Sequence, residues 1–150
     1  MSLDQNINTE LKEAMLAKNE VKLRTIKAIK AAFLIAKTEK GASGEITTEQ
    51  EIKILQKLYN QRKESFEIFT KENRPELAAR EKEEMDVLVA YLPKQLDDEA
   101  LKTIVQDAIS VTGASSVKDM GKVIGMVSKN VAGQAEGARI SAMVKEMLGA

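Results

Sequence analysis

Along most of the chain, apolar residues return every three or four positions, the period of a helix with one buried face. Leu3, Ile7, Leu11 and Met15 form an i, i+4 stripe for a first helix; beyond Asn19, Val21, Ile26, Ile29, Phe33 and Ala36 carry a second. Gly41-Ala42-Ser43-Gly44 reads as a loop, since a glycine inside a helix costs roughly 1 kcal/mol relative to alanine. Thr48, with Glu51 three residues on, fits a capping box opening a long third helix through Ile52, Leu55, Leu58, Tyr59, Phe66 and Phe69. Asn73-Arg74-Pro75 ends it, and Pro75 suits the first turn of a fourth helix bearing Leu77, Met85, Leu88 and Tyr91, which stops before Pro93.

The stretch from Pro93 to Asp97 divides the chain. Asp97 is a good N-cap for a fifth helix with Leu101, Ile104, Val105, Ala108 and Ile109. Thr112-Gly113-Ala114-Ser115 predicts a loop, and Ser116 with Asp119 a second capping box. Met120, Val123, Ile124 and Val127 then mark the apolar side of a sixth helix, with Gly133 as its C-cap. A seventh starts near Gly137 and uses Ile140, Met143, Val144 and Met147. The expectation is an all-α chain of two domains, four longer helices over residues 1–93 and three short ones over 94–150. Composition agrees: aromatics are 3% and prolines 2 in 150 residues, too few for a sandwich or barrel.

The zeros narrow the chemistry further. With Cys 0 and His 0 there is no disulfide, no Cys/His zinc site, no Cys–His or Ser–His nucleophile pair and no imidazole acid–base catalyst. No catalytic residues, metal ligands or cofactor are therefore expected. Basic and acidic residues number 23 each, 16 and 16 over residues 1–93 and 7 and 7 over 94–150. No global field draws the chain to DNA or to an anionic membrane, and no apolar run approaches the ~20 residues of a bilayer span. Met1-Ser2-Leu3-Asp4-Gln5 has neither the basic nor the apolar region of a signal peptide, so a cytoplasmic location is expected.

Charge is nonetheless uneven locally. Residues 20–40 hold Lys22, Arg24, Lys27, Lys30, Lys37 and Lys40 against Glu20 and Glu39, whereas residues 76–86 hold five acids against Arg80 and Lys82. Lys27, Lys30 and Lys37 fall within about 80° of helical arc. They make either a phosphate-tracking stripe or a solvated face that complements the acidic fourth helix, and no aromatic interleaves them to stack a base. Glu81, Glu84 and Asp86 suggest a carboxylate metal site or, with no histidine to complete one, a salt-bridged helix face.

Gly121-Lys122-Val123-Ile124-Gly125 is the most unusual segment. Two glycines four apart share a helix face and give up roughly 2 kcal/mol of propensity together, so something should gain from the missing side chains. That is either a closely packed neighbouring helix or a nucleic-acid backbone. Lys118, Lys122 and Lys129, followed by Gly133, Gln134 and Arg139, would ring such a surface with donors.

Gln61-Arg62-Lys63-Glu64-Ser65, Arg74-Pro75-Glu76-Leu77-Ala78 with Glu81 and Glu84, and Tyr91-Leu92-Pro93 resemble, in order, motifs of the GatB/YqeY family. Lys118-Asp119-Met120-Gly121-Lys122-Val123-Ile124-Gly125 and Gly133-Gln134-Ala135-Glu136-Gly137 resemble its carboxy-terminal motifs. That second group is also similar to the tail of the B subunit of aspartyl/glutamyl-tRNA amidotransferase. The resemblance implies an elongated amino-terminal helical domain and a compact carboxy-terminal one of the kind that contacts tRNA. It does not bring the ligase chemistry, a carbon–nitrogen ligation with glutamine as nitrogen donor, because the activating domain of those relatives has no counterpart here. One departure stands out: the family often has Arg or Lys after the glycine, and Gln134 brings no charge there, a difference of about one counterion. The expected function is a non-catalytic tRNA-binding or adaptor protein using Lys118, Gly121, Lys122, Gly125, Lys129, Gly133, Gln134 and Arg139, with Lys27, Lys30 and Lys37 as a secondary basic face. The alternative is a protein-interaction module that docks an enzyme through its long charged helices.

Overall fold

The computed structural model describes residues 2–39, 41 and 44–149 and, among these, every regular element is helical. The expected loop's Ala42 and Ser43, and Lys40 of the basic segment, lie outside the described residues. Contacts along the chain group into two units, Met1–Leu92 and Pro93–Ala150.

The first unit contains α1 (Leu3–Leu16), α2 (Glu20–Thr38), α3 (Thr48–Lys71) and α4 (Pro75–Tyr91). The three residues between α3 and α4 leave room only for a helical hairpin, and these two helices make the most extensive pairing of the unit. Ile7, Ile26, Ile29, Phe33, Leu55 and Leu88 meet in its core. Fully burying a side chain of this size is worth about 1.5–3 kcal/mol, so this core holds four helices whose charged faces contribute little.

The cap of α3 sits one residue earlier than the Thr48–Glu51 pair predicts. Thr47 is the N-cap: its hydroxyl accepts from Gln50 N at 3.1 Å, and its own N–H donates to Gln50 Oε1 at 2.8 Å. Glu51 is thereby released from the cap. It is 4% exposed, and its carboxylate accepts the Asp4 N–H at 3.0 Å, satisfying an orphan donor in the first turn of α1.

The second unit contains α5 (Asp98–Thr112), α6 (Met120–Val131) and α7 (Gly137–Met147), each packed on the other two. Leu101, Val105, Val123, Val127, Ile140 and Val144 are at its centre. Asp97 caps α5 by accepting from Ala100 N at 2.8 Å, and Gly113 ends it in the left-handed region at φ 68°. The expected Ser116–Asp119 box does not form. The chain makes a single 3-10 turn over Val117–Asp119, Ser116 has no side-chain cap bond, and Asp119 Oδ2 instead accepts from Ser115 N at 3.1 Å. The C-cap of α6 is also displaced: Ala132, at φ 44°, takes the left-handed position expected of Gly133, which follows with φ 88°.

Candidate nucleic-acid interface

Val123, Val127 and Val131 are at most 1% exposed and fix which side of α6 enters the core. Gly121, Gly125, Lys129 and Lys122 fall within about 100° of arc on the opposite side, at 100° per residue. All four are exposed. A Cβ built on Gly121 or Gly125 would meet no atom within 4 Å. The two glycines therefore do not serve a neighbouring helix of the second unit, and close packing of the pair within that unit is excluded among the described residues. The missing side chains leave a stretch of bare backbone about 6 Å long, four residues at 1.5 Å each, facing outward. Lys122 and Lys129 flank it, and Lys118 precedes it in the 3-10 turn; none of the three has an ion-pair partner among the described residues.

The rest of the expected ring is used differently. Leu96 N–H donates to the Gln134 carbonyl at 2.8 Å, and Gln95 Nε2 donates to the Gly133 carbonyl at 3.0 Å. Arg139 Nη2 donates to the Leu96 carbonyl at 3.0 Å and to Asp98 Oδ1 at 2.8 Å. Gly133, Gln134 and Arg139 thus hold the incoming segment 93–98 against the α6–α7 turn. Arg139 points to the amino end of α5, and the open face of α6 retains two glycines and the cations Lys122 and Lys129, with Lys118 in the turn before it.

The secondary basic face is divided in the same way. Lys37 pairs with Asp4 at 2.6 Å and Lys30 donates to Asn8 Oδ1 at 2.8 Å, so both are committed to α1, while Lys27 is exposed and has no ion-pair partner among the described residues. Among the described residues, the α2 side chain that forms ion pairs with the acidic fourth helix is Arg24, which reaches Glu83 at 2.8 Å and Glu84 at 3.2 Å. Arg62 of α3 approaches the other Glu84 oxygen at 3.5 Å. Burial and the adjacent Glu84 charge push the Glu81 carboxyl up. These carboxylates face arginines, and no metal-ligating cluster occurs among the described residues. Arg62's part in this knot was missed by reasoning from charge runs, because it lies in a segment of mixed sign; the i, i+4 offset of Arg62 from Leu58 on the buried stripe was the available signal.

Across residues 4–148 the chain matches the family described as Yqey-like protein. It belongs to the YqeY-like family. Three relatives of this YqeY-like chain are all named Altered inheritance of mitochondria protein 41, mitochondrial. That of Lachancea thermotolerans is 36% identical over 88 residues, covering 58% of this chain and 46% of the relative. That of Vanderwaltozyma polyspora is 33% identical over 125 residues, covering 76% and 64%. That of Pyrenophora tritici-repentis is 29% identical over 149 residues, covering 96% and 80%. The YqeY-like chain thus matches less than two thirds of the length of the first two.

Those names correct the expected cytoplasmic location, since each relative is a mitochondrial protein by name. Zero net charge and short apolar runs describe which surfaces a folded domain attracts; neither carries a cellular address. No helix among the described residues is long and apolar enough to cross a membrane.

Proposed function

We propose that this YqeY-like protein is an RNA-docking adaptor associated with tRNA-dependent amidation or translation, and that it makes no bonds itself. In this reading α6 lays its bare glycine face against the sugar–phosphate backbone of tRNA, and Lys118, Lys122 and Lys129 neutralise neighbouring phosphates. The supporting observation is the open space over Gly121 and Gly125, beside three lysines without an ion-pair partner among the described residues. Glycines that cost helix propensity and pack against nothing in their own unit call for an external backbone as their partner. The likeness of this segment to the amidotransferase tail points the same way. Docking of an enzyme by the long charged helices has less support, because Lys22, Arg24 and Lys37 of α2 are already ion-paired to α1 and α4.

A filter-binding titration of total tRNA at several salt concentrations tests the proposal. Three phosphate contacts give a log–log salt slope of roughly −2 to −3, and Lys122→Glu/Lys129→Glu should remove about two counterions' worth. No binding at low salt, or binding indifferent to that double substitution, refutes it. Transamidation with glutamine and ATP, assayed with this chain alone, should give no product.

A further inference from the structure

Between α5 and α7 the second unit has an open groove of about 450 Å³. Half-buried Met143 and Met147 line it together with exposed Ala142, Glu99, Lys102 and Glu146. Arg139, which also lines it, is neutralised by Asp98. Glu99, Lys102 and Glu146 have no ion-pair partner among the described residues, so the lining carries a net negative charge. Methionines adapt to varied apolar shapes, and charged residues beside them suit an amphipathic helix of opposite sign.

The same chain offers such a helix. On the outward side of α2, Leu34 is 60% and Ile35 62% exposed, next to exposed Ala31 and to Lys27, which has no ion-pair partner among the described residues. Glu20 is the sole acid of α2, against Lys22, Arg24, Lys27, Lys30 and Lys37. The lengths agree: Lys27 to Ile35 and Arg139 to Met147 are each eight helical rises, about 12 Å. We infer that the outward stripe of α2 in one copy docks in the α5–α7 groove of a second copy. Lys27 then meets Glu99 and Glu146, and Leu34 and Ile35 cover Met143 and Met147. Each copy gives one stripe and one groove, so the contact is either exchanged reciprocally in a two-fold dimer or continued head-to-tail into larger rings or short chains. Its small area puts it in the weak, transient class, with association expected at about 100 µM. The α6 lysines belong to neither surface, so RNA docking and this contact stand or fall separately.

Sedimentation of the full chain from about 10 to about 1000 µM tests this, a range that brackets a weak contact. The unaltered chain should associate as concentration rises. Leu34→Glu/Ile35→Glu and Glu99→Lys/Glu146→Lys, all at exposed positions, should each be monomeric while keeping the helical circular dichroism of the parent. Mixed together, each variant still has one sound face, so the pair should form a 1:1 complex and nothing larger. A monomer at every concentration, association unaffected by either variant, or variants that fail to pair on mixing would each overturn the inference. A symmetric α2–α2 contact would show itself by loss in the stripe variant alone, which also overturns it.

Discussion

Tyr91 Oη donates to Glu10 Oε2 at 2.8 Å, and the same oxygen lies 3.1 Å from Lys22 Nζ. One carboxylate thereby ties the last residue of α4 to α1 and α2. The Tyr91 hydrogen bond, then that from Lys22, holds the Glu10 carboxyl below its usual range. Burial first, then the Glu10 hydrogen bond, pushes the Tyr91 phenol well above its ordinary value.

The two shifts act at opposite ends of the pH scale. A raised phenol favours the neutral form in the fold, so its contribution is complete below the unfolded value of about 10 and lost as pH climbs above it. The lowered Glu10 contributes above the unfolded carboxylate value of about 4.3 and loses that contribution as pH falls through the folded value. Tyr91→Phe should cost about 0.5–1.5 kcal/mol at neutral pH. Urea melts at about pH 7 and about pH 11, on either side of the ordinary phenol value, should show the unaltered chain losing its advantage over Tyr91→Phe at the higher pH. An advantage that is constant across that interval contradicts the assignment.

Glu51 supports a second prediction. Its buried carboxylate closes the first turn of α1 from the first turn of α3. Glu51→Ala leaves the Asp4 N–H without this acceptor and should destabilise the chain by about 1–3 kcal/mol. Glu51→Gln keeps an acceptor of the same reach and should recover more than half of that loss. Denaturant midpoints of the three chains check it; equal losses in both variants would mean that Glu51 acts through its charge alone.

Ala132 supports a third. At φ 44° and ψ 52° it occupies the left-handed region at the end of α6, where a Cβ costs roughly 1–2 kcal/mol. Ala132→Gly should therefore stabilise the chain by about 1 kcal/mol, net of the greater entropy that glycine loses on folding. Gly133→Ala, at φ 88°, should destabilise it. Thermal melts of the two variants moving in the same direction would contradict this account of the turn.

The helices themselves were legible in the sequence because their apolar period, Pro75 at a first turn and Asp97 as a cap are local signals. The choice between caps was not. Thr47-Thr48-Glu49-Gln50-Glu51 satisfies the box pattern twice, and the frame adopted is the one that frees Glu51 to be buried against α1, a tertiary effect invisible in the pentapeptide. Ser116 failed as a cap because a 3-10 turn intervenes before α6. Counting lysines on α2 likewise could not say that α1 takes up Lys22 and Lys37 while Arg24 forms the ion pairs with α4. The outward aspect of Gly121 and Gly125 was within reach: Val123 and Val127 already define the buried side, and the glycines are on the other. What the spacing could not supply was that, among the described residues of the second unit, neither α5 nor α7 covers them, nor that Arg139 turns away to Asp98.

The glycine pair also separates stability from binding. Both residues sit in the helix with free space where a Cβ would go, so alanine there should raise stability by about 0.5–1 kcal/mol per site. The same methyl groups would stand between α6 and an RNA backbone without altering any charge. The most direct measurement is thus the tRNA affinity of Gly121→Ala/Gly125→Ala, taken alongside its melting curve. A more stable protein whose affinity falls about tenfold or more, equivalent to 1.4 kcal/mol, is the expected result. A more stable protein that binds tRNA as well as the parent would contradict the claim that this bare helix face is where RNA docks.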